Sequence, residues 1–241
     1  MTVAATSRQR YEEWHDRHEV DRDADTPWHR LVLAYLSPDR DLKGKRVLEV
    51  ACGRGGFAAR LMRMTSPAPN LVAADFSSMA VRKGKTFAEQ TDVKSVIQWE
   101  VVDAELLSHP DSSFDTIISC ETIEHVPSPR RALAEFSRVL KPGGRLFLTT
   151  PNYMGPMGVY RAYARLTGRP YSEEGQPINH FMLLPRTARW VRGVGLRVAA
   201  VDAGGHYLPW PGQPPHEIRV FAHIRPLRWL ALHSLIVAEK R

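Results

Sequence analysis

The sequence predicts an α/β protein built on a doubly wound, mostly parallel sheet. Short apolar runs alternate with helical segments from residue 46 to residue 150, a glycine-rich turn follows the first run without a break, and acids stand at the ends of four of the runs. Strands that alternate with helices form βαβ units, and the strands of such units lie parallel. The chain has 241 residues, 43% of them hydrophobic and 24% charged, which suits one core and a single domain over residues 1–241. No apolar run reaches the roughly 18 residues of a membrane span, and the first 30 residues carry no apolar leader. The two cysteines, Cys52 and Cys120, are too few for a disulfide framework or a zinc ribbon, so a reducing, cytoplasmic setting is expected.

The elements follow in order. Residues 11–36 read as helical, with Trp14, Trp28, Leu31, Val32, Tyr35 and Leu36 as an apolar stripe broken at Pro27 and stopped near Pro38. Residues 1–38 are therefore expected as N-terminal helices, which in folds of this kind often close over the ligand. Residues 46–51 form the first strand, then a glycine turn and a helix over 57–64. Residues 71–75 form the second strand, followed by a helix over 79–90; residues 96–102 form the third. The fourth strand (114–120) leads to a helix over 129–140, a turn at 141–144 and a fifth strand over 145–150. The alternation then stops. Residues 151–184 read as an inserted cap rich in tyrosine and arginine: Tyr153, Tyr160, Tyr163, Tyr171, Arg161, Arg165 and Arg169. A helix over 185–194, a strand over 196–201, a glycine- and proline-rich loop over 203–215, a helix over 225–232 and a last strand over 235–238 complete the chain.

In such sheets the ligand sits at the carboxyl ends of the strands. Those ends carry Glu49, Asp75, Asp103 and Glu121. The stretch Gly53-Arg54-Gly55-Gly56-Phe57-Ala58 fits the loose dinucleotide pattern, with an acid 22 residues on. A pyrophosphate, however, needs amide donors and no nearby carboxylates. Four acids on one rim instead suit a ligand with cationic groups and ribose hydroxyls, which describes S-adenosylmethionine (SAM). Capping of the following helices explains one such acid but not four. On this reading Asp75 accepts from the ribose hydroxyls, Asp103 accepts from the adenine amino group with Ala104 beside it, and Phe76 packs on the adenine. Glu49, Ala51 and Glu121 complete the cofactor wall, and Gly53 and Gly55 let the backbone approach closely.

These residues match a family pattern. Val47-Leu48-Glu49-Val50-Ala51-Cys52-Gly53-Arg54-Gly55-Gly56 resembles motif I of the class I SAM-dependent methyltransferases, Asp75-Phe76-Ser77 resembles motif II, and Val102-Asp103-Ala104 and the run Phe114-Asp115-Thr116-Ile117-Ile118 resemble the next two. Val139-Leu140-Lys141-Pro142-Gly143-Gly144-Arg145-Leu146 resembles the turn and fifth strand that follow. Ala51 departs from the glycine usual in the family, and its small side chain is expected to crowd the turn only slightly. The resemblance implies a Rossmann-like sheet of seven strands in the order 3-2-1-4-5-7-6, with the last strand antiparallel.

On the acceptor side, Glu121-Thr122-Ile123-Glu124-His125 follows the fourth strand, and on a helical turn its two acids and histidine would share one face. With His180 downstream, the set resembles ubiquinone-pathway O-methyltransferases and small-RNA 2′-O-methyltransferases. That resemblance implies Glu121, Glu124, His125 and His180 as ligands of a divalent metal, Mg²⁺ or Mn²⁺. Without a metal, His125 or His180 is the candidate general base beside Glu121. The aromatic and polar cap, with His206, Tyr207 and Trp210 from the late loop, favours a hydroxyl acceptor that is a small polar molecule, sugar or glycoside first. A quinol or phenol is the alternative and RNA ranks last. The net charge is +7, with 12 basic and 5 acidic residues in 151–241. This places the positive excess on the acceptor side, and with no Lys-rich tract or appended RNA-binding module, nucleic acid is not an expected partner. The oligomeric state stays open, a homodimer included. Cys52 and Cys120 read as small buried apolar residues.

Overall fold

Strand and helix alternate through a seven-stranded sheet. The computed structural model describes residues 3–19, 23–91, 97–169, 176–210, 213–218, 221 and 224–241. Its strands are β1 (Arg46–Val50), β2 (Asn70–Asp75), β3 (Ile97–Val101), β4 (Phe114–Cys120), β5 (Leu140–Pro151), β6 (Leu196–Gly204), β7 (Tyr207–Trp210), β8 (Gln213–Glu217) and β9 (His233–Lys240). The helices are α1 (Val3–Arg17), α2 (Pro27–Tyr35), α3 (Gly56–Met62), α4 (Ser78–Glu89), α5 (Pro129–Val139), α6 (Pro156–Leu166), α7 (Leu184–Gly193) and α8 (Arg225–Arg228). The main sheet runs β3-β2-β1-β4-β5-β9-β6. Its seventh strand in chain order, β9, lies between β5 and β6 and antiparallel to both, so the expected order and polarity are those observed.

Parallel strands covered on both faces read as unbroken apolar runs. Accordingly Val47, Leu48, Leu71, Val72, Ala73, Ala74, Ile117 and Ile118 are fully buried. Alternate side chains feed two cores. Leu48, Val72, Ile117 and Leu146 pack with Leu133 and Phe136 of α5 and Val191 of α7. Val47, Leu71, Ile118 and Phe147 pack with Leu31 of α2, Phe57 and Leu61 of α3 and Phe87 of α4. Truncating Leu48 or Leu71 to alanine would cost about 2–5 kcal/mol at such sites.

Several elements depart from the sequence reading. Helix α1 begins well before residue 11, and Pro27 starts α2 rather than breaking a longer helix: Thr26 caps it by accepting from the His29 amide. The turn at 141–144 is absorbed into β5, whose pairing with β4 shifts register between Phe114 and Thr116. The late loop holds a hairpin of β7 and β8, with Tyr207 opposite Glu217. Among its described residues the cap contains one helix, α6; Tyr171, and Val96 ahead of β3, lie outside the described residues.

Candidate active site

A cavity of about 920 Å³ opens at the carboxyl ends of the parallel strands. Eight of the expected cofactor residues reach its wall: Glu49, Ala51, Gly53, Asp75, Phe76, Asp103, Ala104 and Glu121. Gly55 does not. A Cβ at Gly55 would lie 2.4 Å from Cη2 of Trp99, and one at Gly84 would lie 2.5 Å from Cζ3 of the same ring. The Trp99 indole therefore occupies a slot made by two glycines, and Gly55 serves packing behind the loop. Gly53 does the opposite work: a Cβ there meets nothing within 4 Å, so its backbone lies open on the cavity side.

The glycine loop is tied to the second strand. The Gly53 amide donates to Oδ2 of Asp75 at 2.9 Å, the Ser77 amide donates to Oδ1 at 2.9 Å, and the Cys52 amide donates to the Ala74 carbonyl at 3.0 Å. Ala51 sits at φ +58°, in the left-handed region that favours glycine. Its departure from the family pattern thus strains the backbone rather than crowding the turn. Below the loop, Glu49 is buried and its Oε2 has no hydrogen-bond partner among the described residues. Burial, and then the Asp75 charge, push its carboxyl up to about 8. On the adenine side of the expected pocket, Oδ1 of Asp103 accepts from the Glu105 amide at 2.8 Å within the turn after β3.

The segment after β4 is not helical. Glu121 has φ +47°, and the chain turns so that the His125 amide donates to the Thr122 carbonyl at 2.9 Å. The shared helical face expected for Glu121, Glu124 and His125 therefore does not form. Glu121 and His125 line the cavity, while Glu124 is wholly buried outside that wall, its Oε1 3.7 Å from Nε2 of His125. His180 is turned into the protein: its Nε2 donates to the Val126 carbonyl at 2.9 Å and its amide to the Glu124 carbonyl at 2.8 Å. Among the described residues no three His, Cys, Asp or Glu side chains gather as a metal-holding group. The expected four-ligand set is therefore not assembled among the described residues. His125 donates from Nδ1 to the Ile178 carbonyl at 2.7 Å. Burial holds it below the usual imidazole range, against the Ile178 bond and the Glu121 charge, which raise it. A residue not anticipated from sequence stands next to Glu121: Nδ1 of His233 lies 3.0 Å from Oε2.

Comparison with known proteins gives the family. Residues 48–148 match the methyltransferase-domain family. The chain is 30% identical over 183 residues to the ubiquinone biosynthesis O-methyltransferase of Coxiella burnetii (strain RSA 331 / Henzerling II), covering 73% of this chain and 74% of that protein. The chain belongs to the class I SAM-dependent methyltransferases. A second relative of the same name, from Xanthomonas euvesicatoria pv. vesicatoria (strain 85-10), is 29% identical over 179 residues, covering 74% of this chain and 73% of its own. The fold is shared with a chain of the complex between the Haloferax volcanii Trm112 methyltransferase activator and a methyltransferase. There the TM-score is 0.69 at 21% identity, covering 97% of this chain and 96% of that one. The SAM-dependent methyltransferase of Mesorhizobium loti superposes with a TM-score of 0.62 at 19% identity, covering 88% and 97%.

The methyltransferase's residues fit SAM. A buried carboxylate with an unpartnered oxygen, beside a second carboxylate and an open glycine backbone, suits a ligand bearing an ammonium and a sulfonium. The N-terminal helices join the same wall through Tyr11, Trp14 and His15 of α1 and Trp28 and His29 of α2. Sequence reasoning missed how α1 is held. Oε2 of Glu12 accepts from the Ser77 hydroxyl at 2.7 Å and the Met79 amide at 2.8 Å, and Oε1 accepts from the Ser78 amide at 2.8 Å. A side chain of one helix thus satisfies the orphan amides at the start of another. Burial raises the Glu12 carboxyl, but the bonds from Ser77, Met79 and Ser78 prevail and hold it below its ordinary value. At the other end of α1, Lys83 donates to the carbonyls of Asp16 and His18 at 2.6 and 3.0 Å.

On the acceptor side the cap contributes less polar chemistry than expected. Of its described tyrosines only Tyr160 lines the cavity, with Met157, Gln176 and Ile178. Arg161 donates to the Asn179 carbonyl at 2.6 Å and covers the Tyr153 ring, while Arg165 and Arg169 are exposed away from the wall. His206 is buried elsewhere, its Nε2 against the Leu227 carbonyl at 2.8 Å. Cys52 and Cys120 are free thiols; burial first, then nearby carboxylates, push both well up, which leaves them unionised and poorly nucleophilic.

Proposed function

We propose that the methyltransferase transfers its methyl group to the oxygen of a small hydroxylated aromatic molecule, a phenol or quinol. The observation that carries this reading is the acceptor-side wall. Val126, Pro127, Met157, Tyr160, Ile178 and Trp28 line it beside Gln176, a largely apolar and aromatic surface that suits a planar ring. A sugar would need several hydrogen-bonding side chains there, and the cap arginines lie elsewhere. The name of the relatives, ubiquinone biosynthesis O-methyltransferase, supports the same choice.

SAM, when bound, supplies an electrophilic methyl group on sulfur. The chain's residues do the rest. Asp75 holds the ribose hydroxyls, Phe76, Asp103 and Ala104 the adenine, and Glu49 with the Gly53 backbone the cationic amino-acid end. The helices α1 and α2 cover the site and exclude water, which strengthens these electrostatic contacts. Methyl transfer to oxygen needs in-line approach and a place for the hydroxyl proton. An imidazole beside Glu121 offers that place, and no step is routed through a metal.

An acceptor panel tests the reading. Purified protein with SAM is offered simple phenols, catechol, monosaccharides, phenyl glycosides and short RNAs, and products are identified by mass spectrometry. Methyl ethers on phenols are expected. Methylation confined to sugars, or RNA turnover with steep salt dependence, overturns it.

A further inference from the structure

We propose that His233, oriented by Glu121, is the group that takes the acceptor's proton. The proposal rests on transfer to oxygen as proposed above. His233 opens β9 opposite Pro151 at the end of β5, so the register of the antiparallel pair sets its backbone on the cavity rim. Its Nδ1 is 3.0 Å from Oε2 of Glu121. A carboxylate only accepts, so Nδ1 carries the hydrogen and donates it; that tautomer leaves Nε2 with a lone pair. The Trp28 ring packs on the imidazole at 4.9 Å between centroids and restrains its rotation. The side chains of His233 and Glu121 are 14% and 16% exposed, and both line the cavity.

Two further observations mark Glu121 as placed for this work. Its backbone is held at φ +47°, a left-handed conformation that is strained for such a residue. Its Oε1 is buried without a hydrogen-bond partner among the described residues. His125, one of the two bases expected from sequence, is arranged differently: Nδ1 meets the Ile178 carbonyl at 2.7 Å, and Nε2 faces the buried Glu124 carboxylate at 3.7 Å. Both of its nitrogens are directed at the protein.

The transfer then balances simply. The acceptor oxygen forms its bond to the methyl carbon as the carbon–sulfur bond breaks, and that electron pair stays on sulfur. The hydroxyl proton moves to Nε2 of His233, the imidazolium is neutralised by Glu121, and the proton passes to water after the product leaves.

Two acceptors separate a proton-accepting histidine from a structural one. In mildly alkaline buffer phenol keeps its proton, whereas 4-nitrophenol is largely ionised unaided. We expect His233→Gln to lower kcat on phenol by about 10²–10⁴-fold and on 4-nitrophenol by less than about tenfold. The affinity for S-adenosylhomocysteine, read by calorimetry, should be unchanged and reports an intact fold. Equal losses on both phenols overturn the assignment. Labelling with diethyl pyrocarbonate, read by mass spectrometry, is independent of turnover: His233 should react before His125, and Glu121→Gln should slow its reaction. Prior labelling of His125 overturns the proposal. If wild-type protein methylates neither phenol, the phenol reading fails and the labelling order alone decides the role of His233.

Discussion

Oδ2 of Asp75 accepts the Gly53 amide at 2.9 Å, joining the end of the second strand to the loop after the first. One carboxylate thus shapes the glycine loop while standing where the ribose hydroxyls are proposed to bind. Charge-assisted bonds of this kind contribute about 1.5–3 kcal/mol each. We expect Asp75→Ala to weaken SAM binding on the order of 100-fold or more and to lower stability by about 1–3 kcal/mol through the orphaned amides. Calorimetry and urea denaturation measure the two effects, and wild-type affinity in the variant would remove Asp75 from the cofactor site.

Glu49 ties ligand binding to protons. Without ligand its carboxyl titrates at about 8, so it is mostly protonated at neutral pH. A cation beside it favours the charged form. Binding of SAM near neutral pH should therefore release close to one proton (~1), measurable by calorimetry in two buffers of different ionisation enthalpy and absent in Glu49→Gln. The sign for stability follows from the same shift. The folded value lies above the ordinary 4.5, so the folded chain holds the extra proton and this carboxyl's contribution falls as pH rises from 4.5 toward about 8.

Ala51→Gly should stabilise the protein. Relief of a left-handed alanine is worth about 1–2 kcal/mol, offset by about 0.5–1 kcal/mol of added chain entropy. A net gain of about 0.5–1 kcal/mol in denaturant unfolding is expected, and a loss would show that the turn is not strained at this residue.

Glu12 makes the docking of α1 acid-sensitive. Its folded pKa is depressed below 4.5, so the stabilisation is complete above that value and is lost as pH falls through the lower one. Protection of residues 8–17 against hydrogen exchange, taken relative to the intrinsic rate at each pH, should fall below pH 4.5, and Glu12→Gln should show the lowered protection already at neutral pH. Exchange indifferent to the substitution would mean that Glu12 does not hold the helix.

The sheet and the acidic rim were legible because local pattern determines them. An apolar run ending in Glu49 before Gly53, and another ending in Asp75, place their acids at the carboxyl ends of parallel strands whatever the rest of the chain does. Features made by distant partners were not legible. Ser77 meets Glu12 across 65 residues and His233 meets Glu121 across 112, and no spacing rule joins either pair. The slot for Trp99 needs Gly55 and Gly84 brought together by the fold. The expected Glu121, Glu124 and His125 face failed for one local reason: a left-handed φ at Glu121 ends the strand in a bend, and helical spacing then says nothing about which side chains meet.

The most direct test is a crystal structure with S-adenosylhomocysteine bound. The ribose hydroxyls should lie within hydrogen-bond distance of Asp75 and the adenine against Phe76, with the sulfur turned toward Glu121 and His233. A nucleoside seated away from Asp75, or a sulfur turned away from the Glu121–His233 pair, would contradict this account.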